Sequence, residues 1–429
     1  MEEVFLLKWV VLVMLFSISV LNYTDKSIYG LAAEPIMSGL DISYEQFGLP
    51  SSSFFFAYAI GSIIIGSLTY RFNTKYLLIM IALGWTVSLT GAYLVESFTG
   101  LIVIRTVLGF FEGGTYGLCV AHISKWFASE SRGLAIALMT SGTTVGTYVF
   151  APVLVILLAN FGWKHSFATL GAASLVWAII FLFLKERPKE PIVESVQDQP
   201  TKQNNAEFKD VIKIVLNPFI LSVIAVGFVG MWIITWVVTW APIYLTQIVG
   251  LESQNMGTVM AGIGISGIFV AIGIGKLADF LFKRKKSIDK SYTAVLISIL
   301  LISAISFGMT TIFTTPILAV PLLGLGLVLN ACLLPLFTTI NSIIVPKNLI
   351  GTISGFTLAI NALAAVIGPA LTGYLVSNVG DSTRIGFNTG VLIISVLCAL
   401  CGLMLLFTSK RKVLVSQPDA QTAATVDVE

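Results

Sequence analysis

A chain of 429 residues that is 56% hydrophobic and only 11% charged, with a mean hydropathy of +0.93, carries too little charge for a water-soluble domain, where about a quarter of residues are charged. Its net charge of +3 is scattered over loops and forms no concentrated basic face, so nucleic acid is not an expected partner. The 4 cysteines, Cys119, Cys332, Cys398 and Cys401, all fall in apolar stretches, which argues against a disulfide framework or a zinc site; no cofactor or metal is expected.

In chain order, Met1-Glu2-Glu3 leads into apolar sequence without the basic start and cleavage site of a secretory signal, so the first span is expected to be retained. A bilayer-spanning helix needs about 20 mainly apolar residues. Such segments lie at 5–32, 46–69, 77–95, 99–121, 134–158 and 166–184, then at 217–245, 255–280, 292–312, 315–341, 350–378 and 386–408. Between the two sets, 185–215 is polar and holds Pro188, Pro191 and Pro200; it reads as a solvated linker, and 409–429 reads as a polar tail. The expected fold is an all-α membrane protein of twelve transmembrane helices in two six-helix bundles, 1–184 and 216–408.

Orientation follows from Lys and Arg, which accumulate in cytoplasmic loops. Of the 25 basic residues, all but four fall on the side that would carry both termini: Lys26 and Arg105 are inside spans, and Lys164 and Arg384 lie opposite. Both termini are therefore expected in the cytoplasm, with the chain multi-pass in the cell (plasma) membrane. The halves also echo one another, since Gly66-Ser-Leu-Thr-Tyr-Arg71 follows the second span and Gly275-Lys-Leu-Ala-Asp279 the eighth. A duplicated unit of this kind places a substrate site at the repeat interface near the midplane.

Charged side chains in hydrocarbon cost about 2.5–3.5 kcal/mol each on insertion scales, so those that occur are functional candidates. They are Asp25 and Lys26 in the first span and Arg105 and Glu112 in the fourth. Arg105 and Glu112 are two turns apart on one face, with about 10 Å of rise between them. Asp25 and Lys26 are adjacent, so they point about 100° apart. The economical arrangement pairs Asp25 with Arg105 and leaves Lys26 toward a cavity to meet an anion. Desolvation disfavours a charged carboxyl, so Glu112 is expected to exchange a proton, linked to anion binding at Lys26. The competing reading is two structural ion pairs between these helices. Tyr23, Tyr58 and, from the opposite half, Asn361 are candidate hydrogen-bonding groups for substrate.

Several patterns read as packing rather than chemistry. Gly262-x-Gly264-x-x-Gly267 lacks a preceding strand, Gly142-x-x-x-Gly146 and Gly113-Gly114 suit close helix contact, and the sequon Asn22-Tyr23-Thr24 lies inside the first span. Two histidines near helix ends, with no clustered acids, give no nucleophile or metal constellation for an enzyme.

The segment Arg105-Thr-Val-Leu-Gly-Phe-Phe-Glu112-Gly-Gly-Thr-Tyr116, with Ser124-Lys-Trp-Phe127, Asn22-Tyr-Thr-Asp-Lys26, Trp240-Ala-Pro-Ile-Tyr244 and Pro346-Lys-Asn-Leu-Ile-Gly351, resembles the anion:cation symporter family of the major facilitator superfamily. That family includes galactonate, glucarate and hexuronate transporters, sialin and the vesicular glutamate transporters. The resemblance implies a secondary active transporter that takes up a small organic anion, such as a hexonate, hexuronate or aldarate, with protons by alternating access, as a monomer. It implies that Arg105 pairs with Asp25, that Glu112 is the proton-linked carboxyl, that Lys26 meets the substrate carboxylate, and that Tyr23, Tyr58 and Asn361 hold a polyhydroxy acid. The chain departs from the family at Lys26, where Arg is commoner, in the residues after Tyr58, at Tyr70, and at Thr338 and Thr339. Organophosphate or other anion exchange, drug:proton efflux and a transporter-like sensor are the alternatives. Exchange would lean on more cavity cations, and efflux on a Gly-Pro motif where Ser141-Gly-Thr-Thr-Val-Gly146 stands. A sensor would carry an output domain in place of the short tail.

Overall fold

The computed structural model describes residues 2–187, 214–313, 315–345, 349–380 and 382–409. Most of the expected linker, the turn at Pro346 and Lys347, and the tail beyond Ser409 lie outside the described residues, which contain helices and no strand.

The first six helices are α1 (Glu2–Leu31), α2 (Tyr44–Leu68), α3 (Thr74–Thr90), α4 (Phe98–Trp126), α5 (129–161) and α6 (163–182). The second six are α7 (Pro218–Thr239), α8 (Ser253–Lys285), α9 (Ala294–Ile312), α10 (Pro316–Ile344), α11 (Ile350–Asn378) and α12 (Thr383–Thr408). Among the described residues, eleven helical stretches are long and apolar enough to cross a bilayer. The twelfth span is α5, which runs from Ser129–Thr144 through a π turn at Val145–Val149 and continues into the stretch it shares with α6. Only Gly162, at φ 73° and ψ 171°, separates α5 from α6. A side chain would strain that conformation, and glycine lets two helices meet without a loop.

Local signals start the helices where the apolar runs begin. Ser43 opens α2 with a capping box, its Oγ accepting from the Gln46 N–H while Gln46 Oε1 accepts from the Ser43 N–H. Asn217 caps α7, with Pro218 at its first position. Two helices break midway and at matching places. α4 divides at Gly114, between Phe98–Gly113 and Thr115–Trp126, and α10 at residues 331–332, between Pro316–Asn330 and Leu333–Ile344.

The two sets pack alike. α1 lies on α5, α2 on α4 and α3 on α6; in the second set α7 lies on α11, α8 on α10 and α9 on α12. Across the sets the contacts are α2 with α11, α5 with α8, and α1 with α7. Glycines permit the closest approaches. A Cβ on Gly109 or Gly113 of α4 would stand 2.2 Å and 2.0 Å from the Phe54 and Tyr58 carbonyl oxygens of α2, and one on Gly146 of α5 would stand 2.3 Å from Val20 O of α1. The packing reading of Gly142, Gly146, Gly113 and Gly114 therefore holds, as does that of Gly264, which faces Tyr148 of α5; Gly262 meets nothing.

The sets are sealed together at the end remote from the termini. Tyr44 donates to Gln247 (2.7 Å), the Glu45 N–H to Ser377 (3.0 Å), Asn378 to Glu45 (3.1 Å) and the Ala370 N–H to Ser52 (3.1 Å), while Ser51 and Thr239 share a hydrogen bond of 2.8 Å. At the other end the same interface helices diverge: Gly66 of α2, Gly133 of α5, Gly273 and Gly275 of α8 and Gly355 of α11 have no neighbour within 4 Å of a would-be Cβ. The cleft between the sets thus opens toward the termini.

At that open end the two sets are tied internally by different means. Lys125 of α4 forms an ion pair with Glu186, just beyond α6. Glu186 also accepts from Thr74 Oγ1 (3.1 Å) and the Lys75 N–H (2.9 Å), and Thr74 shares a 2.8 Å hydrogen bond with His122 Nδ1. Burial pushes the Glu186 carboxyl up, but the Lys125 ammonium and the Lys75 N–H outweigh it and hold the group below its ordinary value. In the second set the Tyr292 hydroxyl donates a hydrogen bond to Asp279 Oδ1 at 2.6 Å.

Candidate functional site

α1 and α4 run antiparallel, which sets their charged residues at levels the sequence does not specify. Lys26 meets Glu112: the ammonium donates to Glu112 Oε2 and, at 2.8 Å each, to the carbonyl and the side-chain oxygen of Asn22, one turn earlier on α1. Asn22 Nδ2 donates in turn to Glu112 Oε2 (3.0 Å), so a single amide braces both members of the ion pair. The Lys26 ammonium lies over the rings of Tyr23 (4.7 Å), Tyr58 (5.2 Å) and Phe54 (5.4 Å), a box of aromatic faces that favours a cation. Glu112 and Lys26 are buried; Tyr23 and Tyr58 are half-buried.

Arg105 is level with Tyr29 rather than Lys26. Its guanidinium packs 4.2 Å from the Tyr29 ring centroid and 4.3 Å from that of Phe54, so Phe54 lies against both cations. The expected Asp25–Arg105 pair is therefore not formed. Neither oxygen of Asp25 receives a hydrogen bond, and Nε and Nη1 of Arg105 have no acceptor. Nor does Lys26 stand free, because Glu112 holds it. The reason is register: Arg105 lies two turns before Glu112, about 10 Å along α4, and once Glu112 is level with Lys26 the guanidinium falls beside Tyr29. Asp25 instead lies near its fellow acid, Glu112.

Of the expected site residues, Tyr23, Asp25, Lys26, Tyr58, Arg105 and Glu112 converge between α1, α2 and α4. Asn361 does not join them. It is on α11, 7% exposed, packed against Gly227 of α7. Three residues escaped the sequence reading. Asn22 counted there as an unreachable sequon and as part of the motif carrying the resemblance, with no role of its own, although its spacing of four from Lys26 puts both on one helix face. Phe54 has the same spacing from Tyr58. Tyr29 looked like ordinary core and carried no separate signal.

The Major Facilitator Superfamily family model matches residues 15–369. The chain belongs to that superfamily. Among its relatives is the hexuronate transporter of Bacillus subtilis (strain 168), 28% identical over 377 residues, covering 86% of this chain and 88% of that one. A probable sulfoacetate transporter of Cupriavidus necator is 26% identical over 374 residues, covering 84% and 85%. The fold matches the crystal structure of a bacterial homologue of the human lysosomal transporter Spinster with a TM-score of 0.80 at 18% identity, over 94% of this chain and 97% of that one. The protein is accordingly a multi-pass membrane protein and a secondary transporter, not an enzyme.

Proposed function

We propose that this transporter takes up a small organic anion, most simply a sugar acid such as a hexuronate, together with protons, by alternating access. The observation that carries the reading is the buried Lys26–Glu112 pair inside its aromatic box. A substrate carboxylate reaches the Lys26 ammonium by replacing the Glu112 carboxylate, and Glu112, once displaced, must be neutralised because an unpaired buried charge is costly. Proton uptake and anion binding then favour one another, a coupling that is reciprocal by linkage. Asp25, near Glu112, offers a second carboxyl to share that proton, and Arg105 stabilises the acidic cluster from the adjoining level. Tyr23 and Tyr58 flank the ammonium and are placed to touch what replaces Glu112, and Asn361 serves from the opposite half.

The names of the relatives support the anionic substrate, since hexuronate and sulfoacetate share a carboxylate and little else. With both termini in the cytoplasm of a plasma membrane, as the distribution of basic residues suggests, the cleft described above faces inward. The bundles 1–184 and 216–408 then rock about the site, as a monomer.

The test uses protein reconstituted in liposomes. Glu112→Gln is expected to abolish accumulation driven by a pH gradient while counterflow of labelled substrate persists. Undiminished pH-driven accumulation by the variant would remove Glu112 from the coupling step.

A further inference from the structure

The first bundle carries a groove of about 460 Å³ between α3 and α4. The main contacts that join the two sets run through α1, α2 and α5 on this side, whereas α3 packs on α4 and α6, so the outer face of α3 meets the surrounding lipid. One wall of the groove is a single stripe, Tyr76, Met80, Leu83 and Val87, set at the three- and four-residue spacing of one helix face. Val107 and Phe111 of α4 form the other wall. The Phe111 ring occupies the notch that Gly84 leaves, since a Cβ there would stand 2.3 Å from Phe111 Cγ. Among the described residues that line the groove, Tyr76 alone brings a side-chain hydrogen-bond donor.

Length and charge together say what fills it. From Tyr76 to Val87 the helix rises about 16 Å, which matches one leaflet of a hydrocarbon core about 30 Å thick. The groove therefore fits one extended acyl chain running from the interface to the midplane. At its terminal end the Lys75 ammonium lies 5.7 Å from the Tyr76 ring centroid, and among the described residues it pairs with no carboxylate. Arg71, four residues earlier, is exposed in the turn before α3. Tyr70 and Tyr76, 93% and 59% exposed, bracket these cations, and tyrosine favours the headgroup level of a membrane. Cations at the mouth with an apolar channel behind them complement an anionic phospholipid. The same charges disfavour a second copy of this chain, because an isologous contact sets each patch against its own duplicate. Arg71 and Lys75 would then meet like charges.

We propose that the groove between α3 and α4 is a binding site for an anionic phospholipid, with one acyl chain along Tyr76 to Val87 and the phosphate held by Lys75, Arg71 standing beside it. The site is independent of what the transporter carries.

The experiment separates headgroup from chain. Purified, delipidated full-length protein in detergent is titrated with dioleoyl phosphatidylglycerol or dioleoyl phosphatidylcholine. Binding is followed by thermal shift, since a ligand of the folded state raises its apparent stability, and by native mass spectrometry, which counts bound lipids and protein copies. Wild type is expected to bind one phosphatidylglycerol at least about fivefold more tightly than phosphatidylcholine, the scale of one engaged cation. Lys75→Gln is expected to lose about that factor for phosphatidylglycerol and nothing for phosphatidylcholine. Leu83→Trp fills the groove from an exposed position and is expected to weaken both lipids, with a melting temperature in lipid-free detergent close to that of wild type. Val107→Phe serves if the tryptophan variant does not fold. Equal affinity of wild type for the two lipids, or a preference that survives Lys75→Gln, would overturn the proposal. So would a preference untouched by both groove-filling variants, which would leave a headgroup at the surface with no chain in the groove, or a dimer abolished by Leu83→Trp, which would put a second copy there.

Discussion

The two halves share a plan but spend polarity differently at their centres. At the break of α4 the first half concentrates Asp25, Lys26, Arg105 and Glu112 among aromatic rings; at the break of α10 the second half has Asn330, Asn361 and two glycines. Duplicated helices with the same neighbours thus bury charged side chains in one bundle and uncharged amides in the other. Among the described residues, the buried charged side chains at the level of the helix breaks belong to the first bundle.

Breaking the ionic side should cost most. Lys26→Ala leaves Glu112 buried without its cation, and removing one partner of a buried ion pair costs about 3–5 kcal/mol. A marked fall in apparent melting temperature is expected, with partial recovery when Glu112→Gln is added, because deleting both charges removes the unpaired one. Binding of a charged sugar acid should weaken far more than that of a neutral analogue. Equal losses for both ligands would show that Lys26 is structural. The corresponding change across the cleft, Asn361→Leu, removes no charge and should lower the melting temperature much less.

Glycine substitutions sharpen the contrast through packing. A methyl on Gly113 meets backbone, 2.0 Å from Tyr58 O and 2.6 Å from Ser62 N, so α2 and α4 must separate. Gly113→Ala is expected to cost about 1–3 kcal/mol, as overpacking does, and to slow transport by shifting Phe54 and Tyr58 from Lys26. A methyl on Gly227 meets only the Asn361 amide, the end of a side chain that can turn away. Gly227→Ala should therefore cost about 0.5–1.5 kcal/mol, the scale of a displaced rotamer. Melting curves of the two variants in one detergent decide it, and a larger effect at Gly227 would contradict the seam assigned to α2 and α4.

Most of the fold was legible because lipid imposes long apolar runs, and the four intramembrane charges were legible because hydrocarbon makes them rare. Their pairing was not. Whether Lys26 faces Glu112 or an open cavity depends on how far α4 slides along α1, and Gly109 and Gly113 fix α4 against Phe54 and Tyr58 of α2, residues distant in sequence from both charges. The same blindness hid Arg105 on Tyr29 and Phe54, since an aromatic that supports a cation has the same letter as one that fills a core. The boundary of α5 and α6 was read as a seven-residue gap, 159–165, because polar Asn160 and Lys164 interrupt the apolar run, whereas one glycine suffices to make the turn.

The smallest expected effect lies at the open end, where the first half has the Lys125–Glu186 ion pair and the second the Tyr292–Asp279 hydrogen bond. Because Glu186 is held below its ordinary value of 4.5, it contributes stability above that pH and loses it as the pH falls through the lower folded value. Glu186 is only partly buried, so solvent screens the pair and its worth is under about 1 kcal/mol. Glu186→Gln should consequently melt slightly below wild type by a constant amount from neutrality down to about pH 5.5, and the two curves should converge on further acidification as wild type loses its carboxylate. A gap that persisted unchanged into the acid range would mean that Glu186 holds Thr74 and Lys75 by hydrogen bonds alone, and the open ends of the two halves would then differ in residue type but not in physics.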